Sequence, residues 1–239
     1  MNRLPVAVGL AGLALAHAGP AATWLPSVRR RLPALAGVGR PDHVALTFDD
    51  GPDPHSTPRF LDALARSGRQ ATFFVLGEML HRHPEQARRL TAAGHELGVH
   101  GWRHHNALVT APGRVTADLR RAVGLVTALT GARPVWYRPP YGVLSAEALL
   151  AARALGLRPV LWTAWGRDWT AEATPASVLA ALRPDLRGGA TVLLHDSDCT
   201  SSPGSWRSAL GALPDLIGQC RAIGLDVGPL RDHGVGRAR

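Results

Sequence analysis

The chain has 239 residues, with 27 basic against 18 acidic side chains and a formal charge of +9; its length suffices to bury a core as a single α/β domain. Every basic residue other than histidine is arginine, which excludes Schiff-base and P-loop lysine chemistry. The arginines are spread along the chain apart from Arg29–Arg31 and accompany no nucleic-acid motif, so nucleic acid is not expected as a partner, and a weak attraction to an anionic cell envelope explains the charge equally well.

At the N-terminus, Arg3 is followed by an apolar run from Leu4 to Ala16 and by the small residues of "AHA". This order of charged, apolar and small residues is that of a secretory signal, and the run is short for a membrane span. An exported or cell-envelope protein is expected; the competing reading is a helix that packs on the domain. The stretch "GPAATWLPSVRRRLPALAGVGRP" reads either as a linker or as part of that packing. Residues 1–40 are therefore set apart from a domain over 41–230, with 231–239 as a tail.

From Pro41 onward an apolar run, a polar loop, a helix-like segment and a glycine recur in order. Strands are predicted near Val44–Phe48, Ala71–Leu76, Glu96–Val99, Val135–Tyr137, Arg158–Trp162, Thr191–Leu194 and Leu225–Val227. Thr57-Pro58 and Thr174-Pro175 each offer a capping hydroxyl followed by a proline at the first helical position. Gly68, Gly94, Gly131, Gly156 and Gly224 stand where helices should end in a left-handed residue. Strand–helix alternation of this kind predicts a single-domain, distorted (β/α) barrel with about seven parallel strands. Cys199 and Cys220 lack metal or redox spacing, and one disulfide and two free thiols both stay open.

The unusual polar residues all follow strands. Asp49 and Asp50 come after the first, His100 and His104 after the third, "RPPYG" after the fourth, Asp168 and Trp169 after the fifth, and His195 with Asp196 after the sixth. The C-terminal ends of barrel strands are where loops converge into an active site. Singly, each cluster has a structural explanation: a capped turn for Asp-Asp-Gly-Pro, an accident of 11 histidines for His-x-x-x-His, a surface turn for Arg138. Together they match a chemical need. Two imidazoles and one carboxylate hold a divalent metal with positions left open, and a second carboxylate can take a proton from water beside it. If the loop coils, a spacing of four puts His100 and His104 about one helical turn apart.

"TFDDGP", "HGWRH", "RPPYG", "RDW" and "LLHD", in that order, resemble the motif series of the NodB-homology polysaccharide deacetylases, carbohydrate esterase family 4, over roughly Pro41 to Gly228. The resemblance implies a distorted βα barrel that removes acetyl groups from N-acetylated amino sugars, in a polymer or oligomer that is chitin-like or part of peptidoglycan. It makes Asp50, His100 and His104 metal ligands and Asp49 the general base, with Arg138 orienting Asp49 and the Tyr141 N–H helping to hold the oxyanion. His195 would be the general acid, set by Asp168, and Pro140, Trp169 and Leu193 would bind substrate, the last two walling the acetyl pocket. Zinc is the metal implied first, with cobalt, nickel or manganese able to use the same donors. A monomer is expected.

One departure stands out: Gly101 occupies the position where the family carries Ser or Thr, so a hydrogen bond that steadies the histidine loop is lost, with Trp102 or His105 left to compensate by packing. Trp162, Trp165 and Trp206 are further aromatic candidates for stacking on sugar rings, although Trp162 falls inside a predicted strand. Two other functions share most of these residues: a metal-dependent amidase acting on a non-sugar amide, and an inactive barrel that binds glycans.

Overall fold

The computed structural model describes residues 12–236; Arg3, the apolar run up to residue 11 and residues 237–239 of the expected tail lie outside them. A helical stretch over residues 12–18 and a 3-10 helix, Gly19–Trp24, are followed by two short α-helices, α1 (Pro26–Arg29) and α2 (Pro33–Ala36), before the first strand. There follow β1 (His43–Asp49), α3 (Thr57–Ser67), β2 (Thr72–Val75), α4 (Gly77–Arg82), α5 (Pro84–Ala92), β3 (Glu96–Val99), α6 (Arg114–Thr130) and β4 (Trp136–Tyr137). The chain then forms α7 (Ala146–Ala154), β5 (Arg158–Pro159), β6 (Ala164–Trp165), α8 (Pro175–Leu182), β7 (Thr191–His195), α9 (Trp206–Ala222), β8 (Asp226–Gly228) and α10 (Leu230–His233). Among the described residues no helix is long and apolar enough to cross a membrane.

All seven residues of β1 are buried, as expected of a parallel strand covered on both faces. The sheet runs β5-β4-β3-β2-β1-β7-β6, parallel throughout, with β8 added to β1. Ala45 pairs with Thr191 on one edge and with Gly228 on the other, so β8 shares the β2 edge of β1 at its N-terminal end. Among the described residues no ladder joins β5 to β6, so the barrel is distorted and open along one seam. Helices cover the outside, and the main core lies between them and the sheet; Phe48 stacks on Phe73 at 5.0 Å and meets Phe60 edge-on at 5.1 Å. Each such side chain contributes about 1.5–3 kcal/mol by leaving water.

The strand expectations hold along β1, β2, β3, β7 and β8 to within two residues at each end. The fifth does not: only Arg158–Pro159 pairs with β4. Leu161 N–H instead donates to the Leu35 carbonyl (2.7 Å), and the chain returns to the sheet as β6, an unanticipated two-residue strand that pairs with β7. Trp162 is thus outside any strand, although it is buried.

The stretch from residue 19 to 40 packs on the barrel across this open seam. Besides the Leu35 bond, the Gly37 carbonyl accepts from Thr191 Oγ1 (2.6 Å), Gly39 N–H donates to Gly189 (3.1 Å) and Arg40 N–H to His233 (2.9 Å). At the opposite end of β1 from the polar motifs, the buried rings of His43 and His233 share a hydrogen bond between their Nδ1 atoms (2.8 Å), tying α10 to the sheet.

The two cap expectations part ways. Thr174 caps α8 in a reciprocal box with Ser177. Thr57, by contrast, is the first residue of α3, and its hydroxyl is spent on tertiary contacts: it accepts from Asp53 N–H (2.8 Å) and donates to Asp196 Oδ2 (2.5 Å). The helix-ending glycines all take positive φ. Cys199 is exposed, Cys220 is buried, and both are free thiols.

Candidate active site

Strand register brings the motifs together. Asp49 pairs with His195 on the neighbouring strand β7, and Val99 pairs with Tyr137, so that His100 and Arg138, one residue on, leave β3 and β4 side by side. All of these sit at C-terminal strand ends, where a barrel gathers its reactive groups. Three non-glycine residues among those described have positive φ, namely Asp50 (79°), Tyr141 (58°) and Arg167 (51°), and each lies in a site motif. Backbone held in that region costs on the order of 1–3 kcal/mol and collects at functional sites.

Asp50 and the two histidines form one cluster, with ligand-capable atoms of all three within 4.8 Å of one another. His100 Nε2 lies 3.4 Å and His104 Nε2 3.6 Å from Asp50 Oδ1. The Arg138 carbonyl, 2.7 Å from His100 Nδ1, can only accept, so the ring proton sits on Nδ1 and the Nε2 lone pair points at Asp50. Asp50 Oδ1 is buried without a hydrogen-bond donor, while Oδ2 accepts from Thr200 Oγ1 (2.5 Å). Burial raises the Asp50 pKa, but His195, His100, His104 and the Thr200 hydroxyl outweigh it and leave it below the ordinary value. Burial, helped by His100, takes His104 down to about 4, so it is a neutral imidazole at neutral pH. An undonated carboxylate oxygen facing the Nε2 atoms of two imidazoles fits a divalent cation.

The loop carrying His100 and His104 does not coil into a helix, contrary to the expectation from their spacing. The rings still approach to 5.1 Å, because the N-terminus of α4 grips the loop: Gly77 N–H donates to the Gly101 carbonyl and Glu78 N–H to that of Trp102, both at 2.9 Å. Gly101 has a φ of 112°, which an L-residue rarely adopts. The loop has therefore taken a path that the family's Ser or Thr would resist, and Trp102 braces it, buried with the Arg121 guanidinium 3.5 Å from its ring centre. His105 is exposed and takes no part in the bracing.

Asp49 is buried beside this cluster. Its Oδ1 accepts from Arg138 Nη1 (2.8 Å), and its Oδ2 lies 3.8 Å from His100 Nε2, turned toward the metal-capable group. Arg138 is fully buried, donating also to Thr47 Oγ1 (2.7 Å) and the Leu161 carbonyl (2.8 Å), with its guanidinium 4.1 Å from the Phe74 ring centre. Such a fixed guanidinium can hold one carboxylate oxygen and leave the other free.

His195 is locked from two sides by the buried Asp168, whose Oδ1 accepts from Nδ1 (2.8 Å) and whose Oδ2 accepts from the His195 backbone N–H (2.7 Å). Burial opposes the imidazolium, yet the adjoining Asp168 carboxylate, with Asp50 and Asp49 beyond it, raises the His195 pKa to about 10. Next along the chain, Asp196 is pushed up to about 7 by burial, against the Thr57 hydroxyl and with the Asp50 charge. A Cβ on Gly51 would fall 2.3 Å from its Oδ2, so that position has no room for a side chain. Although the residue is exposed, its sulfur is partly covered and lies 3.4 Å from the Asp50 carbonyl, and this burial, with the Asp50 charge adding, raises the Cys199 thiol to about 12.

These groups surround a cavity of about 220 Å³, whose wall includes Tyr141, Trp165, Trp169, Leu193 and Thr200. Tyr141 is half exposed and its ring meets His104 at 4.3 Å; its turn is closed by the N–H groups of Gly142 and Val143, not by its own. Trp169 stacks on Trp165 (4.6 Å) and meets His195 edge-on (6.2 Å), with the buried Leu193 behind. Pro140 is buried and sets the turn that carries Tyr141, but it is not among the residues that line this cavity. Trp206 is not in the cavity at all: it packs against Phe60 on α3.

Residues 36–160 match the model of the family described as polysaccharide deacetylase. The chain belongs to the polysaccharide deacetylase family. A chitooligosaccharide deacetylase of Bradyrhizobium sp. (strain ANU 289) is 35% identical over 215 residues, covering 85% of this chain and 94% of that protein. The peptidoglycan-N-acetylglucosamine deacetylase PgdA of Listeria monocytogenes is 33% identical over 182 residues, 75% of this chain and 37% of that longer protein. Among solved structures, the Bc1960 peptidoglycan N-acetylglucosamine deacetylase superposes with a TM-score of 0.79 at 27% identity, over 90% of this chain and 100% of that one. The protein is thus a polysaccharide deacetylase of carbohydrate esterase family 4, with an Asp50-His100-His104 group fit to hold a metal.

Three contributors to the deacetylase site were not singled out from the sequence. Thr47 carried a signal, a hydroxyl in an otherwise apolar buried strand. Thr200 carried none beyond lying in the polar loop after His195, and Trp24, which also lines the cavity, lies far outside the motifs.

Proposed function

We propose that this deacetylase hydrolyses the acetamide of N-acetylglucosamine units in a chitin-like or peptidoglycan glycan. The observation that carries this reading is the pairing of Asp49 with His195 on adjacent strands, which faces a carboxylate and a protonated imidazole into one cavity beside the Asp50, His100 and His104 donors. A divalent cation held by those donors, zinc by the nature of the set and cobalt, nickel or manganese by the same donors, lowers the pKa of water and polarises the acetyl carbonyl.

Asp49 Oδ2 takes the proton of the attacking water, its other oxygen being held by Arg138. The Tyr141 N–H, left free by the turn around it, donates to the oxyanion that develops as oxygen adds to the carbonyl carbon. His195, protonated and aimed by Asp168, gives its proton to the nitrogen as the C–N bond breaks, so that acetate and a free amino sugar leave. The Trp169 and Leu193 side of the cavity receives the acetyl methyl. The order of basic, apolar and small residues from Arg3 to Ala18 supports an exported or cell-envelope location, where such glycans lie.

The test is acetate release from N-acetylglucosamine oligomers by protein treated with a chelator and then resupplied with zinc or cobalt, beside Asp49→Ala. Activity restored by metal and lost in the variant supports the assignment. No acetate from well-folded wild-type protein with either metal would overturn it.

A further inference from the structure

We propose that Trp24, delivered to the active-site rim by the segment that crosses the open seam, is a stacking platform for the sugar ring next to the one deacetylated. This rests on the glycan-deacetylase reading above and adds to it a determinant of chain-length preference.

The sequence motifs end at the barrel strands, and Trp24 stands N-terminal of the residues that match the family, 36–160. It nevertheless lines the same cavity as Asp49, His104 and His195. The segment is held there by its own bonds. Thr23 is buried, its hydroxyl donates to the Pro20 carbonyl (2.9 Å), and its carbonyl accepts from Arg29 Nε (3.0 Å). The Arg29 guanidinium lies 6.0 Å from the Trp24 ring centre and 5.4 Å from that of Trp162, bridging the segment to the barrel. Further along, Leu35 and Gly37 pair with Leu161 and Thr191 across the seam.

Fixed in this way, the Trp24 indole remains 42% exposed. It meets Trp165 edge-on at 6.4 Å; Trp165 stacks on Trp169 at 4.6 Å, and Trp169 meets His195 at 6.2 Å. An aromatic row therefore leads outward from the proton donor to the cavity rim, with its outermost member the most open to solvent. Large exposed apolar surface beside a concave site is the mark of a binding surface, and a flat indole suits the apolar face of a pyranose ring. The hydroxyl-rich edge of that sugar would stay in water. A single N-acetylglucosamine has no second ring to set on the indole; a dimer or longer chain has.

The experiment measures kcat and KM for acetate release from N-acetylglucosamine and its oligomers, single sugar to pentamer, with wild-type protein, Trp24→Ala and Trp24→Phe. In Trp24→Ala, KM for the dimer and the longer oligomers should rise about 2- to 12-fold, the size of an aromatic stacking contact, while kcat and the parameters for the single sugar hold. Trp24→Phe should recover most of the loss. The same KM profile in wild type and Trp24→Ala would overturn the inference alone. So would an equal loss at every chain length, because Trp24 would then be a brace for the fold. No acetate from wild type at any length would overturn the deacetylase reading and this inference with it.

Discussion

Replacing Asp168 by Asn keeps the size of the side chain and removes its charge, which isolates what the carboxylate does for His195. In the structure both Asp168 oxygens are spent on that residue, at 2.8 Å to Nδ1 and 2.7 Å to the backbone N–H. The rise of the His195 pKa from 6.5 to about 10 corresponds to roughly 5 kcal/mol in favour of the imidazolium. Burial works against it, and Asp168, through its charge and its hydrogen bond, is the foremost favourable source, ahead of Asp50 and Asp49. Without Asp168 the pKa returns to or below the unperturbed value of about 6.5, so that roughly three-quarters of His195 is protonated at about pH 6 but only some 3 per cent at about pH 8. The wild-type residue stays protonated across that range. The variant-to-wild-type ratio of kcat/KM should accordingly fall about 25-fold from pH 6 to pH 8. The deficit that remains at the acid end measures lost orientation. The assay is initial-rate acetate release at fixed metal across that interval. A ratio that does not change with pH would refute the reasoning and reduce Asp168 to a steric support.

Two further expectations follow from the same geometry. Thr200→Val removes the only side-chain donor to Asp50 Oδ2 among the described residues and should weaken zinc about 10- to 100-fold, read by competition with a chromophoric chelator while the melting temperature of the metal-free protein stays within a few degrees. Gly101→Ser would reinstate the family's hydroxyl, yet at a φ of 112° and with the new Cβ 3.1 Å from the Arg103 carbonyl it should destabilise the fold by about 1–3 kcal/mol in urea unfolding and lower activity; an unchanged or higher stability would show that the loop relaxes freely.

Much of the chemistry was legible because each reactive residue stands just after a recognisable strand. The runs around Phe48, Phe73, Val99 and Val192 are apolar on both faces, and a parallel strand leaves no ambiguity about which end its loop follows. The fifth strand was misread for the same reason: Val160, Leu161 and Trp162 are buried and apolar like strand residues, but Leu161 spends its N–H on Leu35. Burial is visible in local composition, whereas the partner of a backbone N–H is not. Thr57 taught a similar lesson: it lies inside the first turn of the helix with Ser56 at the N-cap, and its hydroxyl serves Asp196 and not the helix end.

The sequence by itself determined the reactive set and the strand ends that carry it, because side-chain chemistry and periodic burial are local properties. Only the tertiary structure decided that register sets Asp49 beside His195, that Thr200 donates to Asp50, and that a segment outside the motifs crosses the open seam to bring Trp24 to the cavity. Those relations join residues as far apart as 150 positions, and they follow from how strands and loops pack in space, which no local pattern encodes.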